Sequence, residues 1–99
     1  MSRYTLSPQA QNSILQIAEY TLENYGKVQR KKYLGLLRDK MRLVAKSPAM
    51  GKERPEIKAG YYSIRAEKHF IYYRIADSGI EIIDVLHQAM EPRLHIGDS

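Results

Sequence analysis

The spacing of apolar residues changes once along the chain, and this change constrains the fold more than any other feature. Before Gly51 apolar side chains recur every three or four residues, whereas Tyr62, Ile64 and Ala66 alternate with polar neighbours. The first spacing is typical of a helix with one buried side, and the second of a strand. A chain of 99 residues closes one modest core. The sequence therefore predicts a single domain, 1–99, of the α+β class: an N-terminal helical hairpin packed on a mostly antiparallel, curved β-sheet.

Local signals mark the ends of the predicted elements in the first half. Arg3 to Ser7 alternates like a short strand, and Ser7-Pro8 is typical of a helix start, with Ser7 as the N-cap. Gly26 should end this helix. A second helix should stop at Ser47-Pro48, because proline disfavours helical geometry in the preceding residue. We therefore expect two antiparallel helices joined by a tight corner.

Three strands are predicted in the second half. The first contains Tyr61 to Ala66 and the second His69 to Ile75, and Asp77-Ser78-Gly79 supplies a hairpin turn before the third. The third run, Ile80 to Leu86, is apolar at both odd and even positions. Such a strand is expected to be covered on both faces, as in the interior of a sheet packed beneath helices.

Positive charge is concentrated on the predicted second helix. The formal net charge is +5, and eight of the sixteen Lys and Arg lie between Lys27 and Lys46, opposed there only by Asp39. The first 26 residues contain Arg3 as their one basic side chain. This field should attract an anionic partner, whether nucleic acid, a ribosome or an acidic protein.

Several chemistries are disfavoured by composition. There is no cysteine, which excludes disulfides and thiolate ligands and suits a reducing compartment. The three histidines show no metal-ligand spacing, so neither a metal nor another cofactor is expected. No apolar run has the length of a signal peptide core or a membrane helix. We therefore expect a cytoplasmic protein with no membrane contact.

Short motifs in a fixed order resemble the ParE branch of the ParE/RelE toxin family over nearly the whole chain. They are Tyr4-Thr5-Leu6-Ser7, Tyr20-Thr21, Tyr25-Gly26, Leu43 to Pro48, Glu56-Ile57, Gly60-Tyr61, His69-Phe70-Ile71-Tyr72-Tyr73, Val85-Leu86-His87 and Met90-Glu91. Many members carry Trp where this chain has Tyr25. The resemblance implies a bacterial toxin encoded beside a cognate antitoxin. For the ParE branch it implies non-enzymatic inhibition of DNA gyrase, with nucleic acid contacted only indirectly.

Two other functions remain open. A ribosome-dependent ribonuclease of the RelE type needs a general base, cations and an acid. Such relatives tend to carry an arginine after the last strand, where this chain has His87-Gln88-Ala89-Met90, but Arg93 and His95 follow closely. A plain DNA-binding module would explain the positive charge, yet the sequence contains no known recognition motif and offers only non-specific phosphate affinity.

Two groups of binding residues are predicted. An acidic antitoxin that folds on binding should use the second helix and the sheet, through Arg30, Lys31, Leu34, Leu37, Arg38, Met41, Arg65 and Arg74. The resemblance places the target-binding surface in the tail from Gln88 to His95, which the core should not need, together with the helical corner. Its candidate residues are Tyr25, His87, Met90, Arg93 and His95. For His87 the alternative is a structural role as a hydrogen-bonded cap at the strand end.

Raising the salt concentration should slow association with the acidic partner far more than it speeds dissociation. Salt screens the long-range attraction that guides encounter, whereas contacts inside the formed complex are screened less. Stopped-flow measurement over a range of sodium chloride concentrations provides the test. Association rates that do not respond to salt would contradict an electrostatic contribution from the second helix.

Overall fold

The computed structural model describes residues 3–96. Three longer strands and two long helices form the body of the domain, joined by short connections. In chain order the elements are β1 (Arg3–Leu6), α1 (Pro8–Tyr25), α2 (Lys27–Lys46), a 3₁₀ turn (Pro48–Met50), β2 (Lys52–Glu53), β3 (Tyr61–Ala66), β4 (His69–Ala76), β5 (Gly79–His87) and α3 (Pro92–His95). None of the helices in this range is both long and apolar enough to cross a membrane.

The helical boundaries follow the local chemistry predicted for them. Ser7 Oγ accepts a hydrogen bond from the backbone N of Ala10 at 3.0 Å, so it caps the start of α1. Gly26 separates the helices with a φ of +90°, a conformation that L side chains rarely adopt. Its backbone N–H donates to the carbonyl of Leu22, and α2 begins at the next residue. The predicted tight corner is confirmed.

The five strands form one sheet in the order β1-β5-β4-β3-β2. Strands β2 to β5 pair antiparallel with their neighbours, whereas β1 pairs parallel with β5. Beyond the last paired residue of β1, Ser7 continues the contact with β5: its backbone N donates to the carbonyl of Ile82, and its Oγ donates to that of Ile83. The α+β prediction is confirmed, and β5 is an interior strand as its composition indicated.

Both long helices pack on one face of the sheet. The buried side chains of this main core come from α1, α2 and all three long strands: Ala10, Leu37, Met41, Val44, Ala45, Ala66, Ile71, Tyr73, Ile80, Ile82 and Val85. A smaller cluster covers the other face, where Tyr72, Leu86 and Ile96 are buried against partly buried Tyr61 and Phe70. We call these the helix face and the open face.

A β-bulge in β5 changes which of its side chains point to the helices. Ile82 pairs with Tyr73 and Asp84 with Tyr72, so Ile83 is an additional residue without an opposite partner. Before the bulge the even-numbered Ile82 belongs to the helix face, and after it the odd-numbered Val85 does. The same shift brings His87 to the helix face, opposite His69.

The buried Tyr73 holds the connection between α2 and β2. Its hydroxyl donates to the carbonyl of Pro48 at 2.7 Å and accepts from the backbone N of Gly51 at 3.0 Å. Gly51 fits closely here, because an added Cβ would lie 2.1 Å from that hydroxyl oxygen. The ring of Tyr62 stacks on that of Tyr73, with 5.4 Å between centroids. One hydroxyl thus satisfies two backbone groups of the connection.

Replacing Tyr73 with phenylalanine should lower the free energy of unfolding by about 1–3 kcal/mol, because two partly buried backbone groups lose their partner. Urea denaturation measures this change. Tyr62→Phe is the matched control, since the Tyr62 hydroxyl bonds to none of residues 3–96, and it should change stability by less than about 0.5 kcal/mol. Equal effects of the two substitutions would contradict the assigned role.

Candidate groove at the helical corner

A groove of about 620 Å³ opens between the corner end of the helical hairpin and the adjoining ends of β4 and β5. Its apolar lining comes from Ile17, Leu36, Val85, Leu86 and Met90, and aromatic residues stand on the helical side. The remaining lining residues are Ser13, Gln16, Tyr20, Thr21, Tyr25, Gln29, Lys32, Tyr33, Glu67, Lys68, His69 and His87. An apolar cleft with a few polar groups is the usual form of a binding site.

Two tyrosines stand at the entrance on the helical side. Tyr20 and Tyr25 meet edge to face, with 6.5 Å between ring centroids, and both are exposed. Tyr25 is the last residue of α1, directly before the Gly26 corner. Exposed aromatic rings next to an apolar cleft are typical of protein-binding surfaces.

A histidine pair forms the strand side of the groove. His69 and His87 face each other across β4 and β5, with ring centroids 5.4 Å apart and the rings nearly perpendicular. Tyr33 of α2 reaches the pair, and its hydroxyl lies 2.6 Å from His69 Nδ1. The same hydroxyl accepts a hydrogen bond from the backbone N of Lys68 at 3.2 Å. Tyr33 therefore ties the second helix to the β3–β4 turn at the groove.

Both histidines of the pair use Nδ1 for a hydrogen bond. The Tyr33 hydroxyl accepts from the backbone N of Lys68 and shares a second hydrogen bond with His69 Nδ1. His87 Nδ1 accepts from the backbone N of Ala89 at 3.1 Å. The bond from Ala89 is the hydrogen bond of a cap at the end of β5, the structural alternative considered for His87.

Burial keeps His69 neutral. Loss of solvent, and secondarily the nearby His87, lower the pKa of His69 from 6.5 to about 4. Burial likewise raises the pKa of Tyr33, so its hydroxyl stays protonated at neutral pH. Among residues 3–96 there is no cluster of three or more metal-ligating side chains.

The structure brings together three of the five predicted target-binding residues. Tyr25, His87 and Met90 all line the groove. Arg93 and His95 lie on α3, away from it: Arg93 pairs with Glu91 at 3.6 Å, and the His95 carbonyl accepts from Gln9 Nε2 at 2.7 Å. The sequence could not show which of these residues line the groove and which lie on α3, because all but Tyr25 fall within nine residues of one another.

The expectation that the core does not need the tail is wrong. Ile96 and Pro92 are buried, and Ile96 packs with Tyr72 and Leu86 in the smaller cluster on the open face. A truncation after Leu86 would therefore expose apolar surface and remove Met90 at the same time. Loss of toxicity in such a truncation would not identify a target-binding surface.

The predicted antitoxin-binding residues fall into three groups. The prediction is wrong for Leu37 and Met41, because each is 2 % exposed and packs in the main core, where no partner reaches it. On α2, Lys31 and Arg38 are exposed, and Arg30 and Leu34 are half-buried. Arg65 and Arg74 lie on the open face, where Arg65 stands 5.7 Å from the Phe70 ring and Arg74 pairs with Glu81 at 2.7 Å. No single surface contains all eight.

Sequence reasoning missed Asp84, the one buried acidic side chain among residues 3–96. Its carboxylate accepts from Ser13 Oγ at 2.6 Å and from Gln9 Nε2 at 2.7 Å, so it ties α1 to β5 beside the bulge. Because Gln9 also donates to the His95 carbonyl, this network reaches α3. The available signal was a carboxylate set among Ile82, Ile83, Val85 and Leu86, within the most apolar run of the chain.

The fold is that of small toxins from bacterial toxin-antitoxin systems. A chain of the chromosomal ParDE system from P. aeruginosa matches with a TM-score of 0.75 at 15% identity, covering 88% of this chain and 96% of that one. A chain of the YoeB–YefM complex from Staphylococcus aureus matches with a TM-score of 0.57 at 22% identity, covering 88% and 97%. At these identities the likeness concerns the fold alone.

Sequence comparison establishes the family. A family model described as "ParE toxin of type II toxin-antitoxin system, parDE" matches residues 4–92. Toxin ParE1 of Mycobacterium tuberculosis is 36% identical over 91 residues, covering 91% of this chain and 93% of the relative. Toxin ParE1 of Caulobacter vibrioides is 33% identical over 97 residues, covering 98% and 100%. The chain belongs to the ParE toxin family of type II toxin-antitoxin systems, as its motifs indicated.

Lowering the pH from about 6.5 to 4 should destabilise the protein through His69. Its folded pKa of about 4 lies below the unfolded value, so the unfolded chain binds the proton first and gains stability as the pH falls. Because the side chain is only partly buried, we expect the free energy of unfolding to fall by about 1–2 kcal/mol, less than the whole pKa difference between the folded and unfolded chain would give. Urea titrations at several pH values measure it.

The control for this experiment is His95→Gln, because His95 is exposed on α3. His69→Gln should flatten the dependence of stability on pH within this window, whereas His95→Gln should leave it unchanged. If stability depends on pH as strongly after the His69 substitution as before it, other groups cause the dependence.

Proposed function

We propose that this chain is a toxin that inhibits DNA gyrase and blocks replication in the bacterial cytoplasm, without catalysing a reaction, and that a cognate acidic antitoxin neutralises it. Membership of the ParE family supports the toxin role. The observation that carries the non-enzymatic proposal is the separation of the histidines of the groove from the arginines of the sheet.

The histidine pair and the arginines of the sheet lie on opposite faces. His69 and His87 pair with each other on the helix face, two residues along their strands from the pair Ile71 and Val85. Arg65 pairs across the strands with Phe70, and Arg74 with Tyr61, both residues of the open face. RNA cleavage needs a base, an acid and cations around one phosphate. The sheet therefore keeps these two histidines and these two arginines from surrounding one phosphate.

On the open face, the acid-base groups beside Arg54 are poorly matched to catalysis. Arg54 stands 5.6 Å from the Tyr72 ring centroid and donates to Ser63 Oγ. Burial raises the pKa of Tyr72, so its hydroxyl stays protonated at neutral pH. The hydrogen bond from Arg54 Nε lowers the pKa of Glu56, which makes this carboxylate a weaker base. Efficient acid-base catalysis needs groups that titrate near the working pH.

The groove offers a surface suited to a protein target. Tyr25 and Met90 line it and are exposed, and Val28 lies exposed just beyond the corner. Aromatic and flexible apolar side chains around a cleft commonly provide most of the binding energy in protein interfaces. We therefore propose that Tyr25, His87 and Met90 contact gyrase, while α3 with Arg93 and His95 supports the open face.

Two assays separate the proposed function from the ribonuclease alternative. Purified protein added to a plasmid supercoiling and cleavage assay should abolish supercoiling by gyrase. The same protein added to translating ribosomes with a defined mRNA should leave that mRNA intact. Codon-associated cuts together with normal supercoiling would replace the proposed target with the ribosome.

Tyr25→Ala should raise the concentration needed for half-inhibition of gyrase at least tenfold, because it removes an aromatic contact worth more than about 1.4 kcal/mol. Leu15→Ala is the control, since Leu15 is also on α1 and also 62 % exposed but lies outside the groove lining. It should change inhibition less than twofold, and both variants should keep the wild-type melting temperature within a few degrees. Equal losses in the two variants would refute a target contact at the corner.

A further inference from the structure

In the described part of the chain, three contacts between a cation and an aromatic ring lie on the open face of the sheet. Measured to the ring centroid, they are Arg65 with Phe70 at 5.7 Å, Arg54 with Tyr72 at 5.6 Å and Lys58 with Tyr61 at 5.9 Å. Tyr61 and Phe70 are only partly buried, so part of each ring is free to meet a ligand, whereas Tyr72 is buried beneath Ile96. Rings with cations beside them form the surfaces on which single-stranded nucleic acids stack.

Arg65 is held in one orientation with its charge uncompensated. Its Nε donates to the carbonyl of Glu67 at 2.9 Å, and its Nη2 donates to the side-chain oxygen of Gln88. Both acceptors are uncharged, and no carboxylate of residues 3–96 pairs with the guanidinium. Two other arginines of this face, Arg54 and Arg74, are each paired with a glutamate. Arg65 is therefore well placed to bind an anionic group such as a phosphate.

The two partly exposed rings are far enough apart to take different nucleotides of one strand. Phe70 lies opposite Arg65 and Tyr61 lies opposite Arg74 in the pairing of β3 with β4. The step from Tyr61 to Arg65 along β3 is four residues, or about 13 Å. This length corresponds to about four nucleotides of a stacked DNA strand. Bases of a duplex are already paired and stacked, so the rings favour a single strand.

We propose that the open face binds single-stranded DNA, with bases stacked on Phe70 and Tyr61 and a backbone phosphate bound by Arg65. No cleavage follows, because the groups beside Arg54 are poorly matched to acid-base catalysis. The choice of DNA rests on the proposed function, since gyrase acts on DNA, whereas the preference for a single strand rests on the rings. Direct contact with nucleic acid goes beyond the indirect contact that the family resemblance implies.

Fluorescence anisotropy with a labelled oligo(dT) of about 12 nucleotides measures this binding, since surfaces of this kind take about 4–16 nucleotides. A DNA duplex and an oligo(rU), both of the same length, are the comparisons. The single DNA strand should bind about fivefold or more tightly than the duplex, because only its bases are free to stack. Equal or tighter binding of the duplex would overturn the stacking surface. Tighter binding of the RNA strand would overturn the assignment to DNA.

Two substitutions on the open face, each with a matched control, locate the surface. Arg65→Gln removes a charge, and its control Arg42→Gln removes one from α2, where Arg42 is also exposed and pairs with no carboxylate of residues 3–96. Phe70→Leu removes a ring but keeps an apolar side chain, and its control Tyr20→Leu removes an exposed ring from the groove. The open-face variants should each weaken binding at least about threefold, and the controls less than about twofold. Equal losses in a variant and its control would overturn the proposal.

The salt dependence separates the phosphate contact from the stacking contact. On a single strand, each phosphate contact contributes about 0.7 to the slope of log affinity against log salt concentration. Arg65→Gln should therefore reduce the slope by about 0.7, and Phe70→Leu should leave it unchanged. Melting temperatures show whether both variants fold, and Arg65 is exposed, so its variant tests the surface even if Phe70→Leu does not fold. An unchanged slope for a folded Arg65→Gln variant would overturn the phosphate contact.

This proposal and the proposed function fail in different ways. If the open face binds the single strand but the toxin leaves gyrase active, the surface stands and the gyrase target is wrong. If gyrase is inhibited but Arg65→Gln and Phe70→Leu bind the single strand as tightly as the wild type does, the target stands and the surface is wrong.

Discussion

The bulge at Ile83 is the constraint on which the arrangement of the two faces depends. It lets Ile82 and Val85 both point to the helices, although regular alternation would put them on opposite faces. Beside it, Asp84 bonds α1 through Ser13 and Gln9, where β1 has ended and α1 begins. The bulge therefore sets the position of the helical hairpin and places His87 opposite His69.

The sheet separates two surfaces with different chemistry. On the helix face, the ends of α1, α2, β4 and β5 leave an apolar groove with a histidine pair at one side. On the open face, arginines lie over aromatic rings, and α3 buries Ile96 against Tyr72. Of these two surfaces, the groove has the form of a binding cleft.

Charge and shape have separate roles on α2. Its exposed basic side chains give a long-range field, which guides encounter but adds little affinity because water and salt screen it. Its inner edge supplies Lys32, Tyr33 and Leu36 to the groove, where partly desolvated contacts are stronger. One helix therefore presents a charged side to solvent and a partly aromatic edge to the groove.

Local patterns determined most of the elements and the fold class. Ser7-Pro8, Gly26 and Ser47-Pro48 set the helix ends, since capping and backbone preferences act over a few residues. The ordered motifs identified the family. Only the tertiary structure decided that Leu37 and Met41 are core, that Tyr25, His87 and Met90 line one groove, and that Arg93 and His95 lie elsewhere. The physical reason is that strand register, a bulge of one residue and the packing of α3 depend on contacts distant in sequence, which no local pattern encodes.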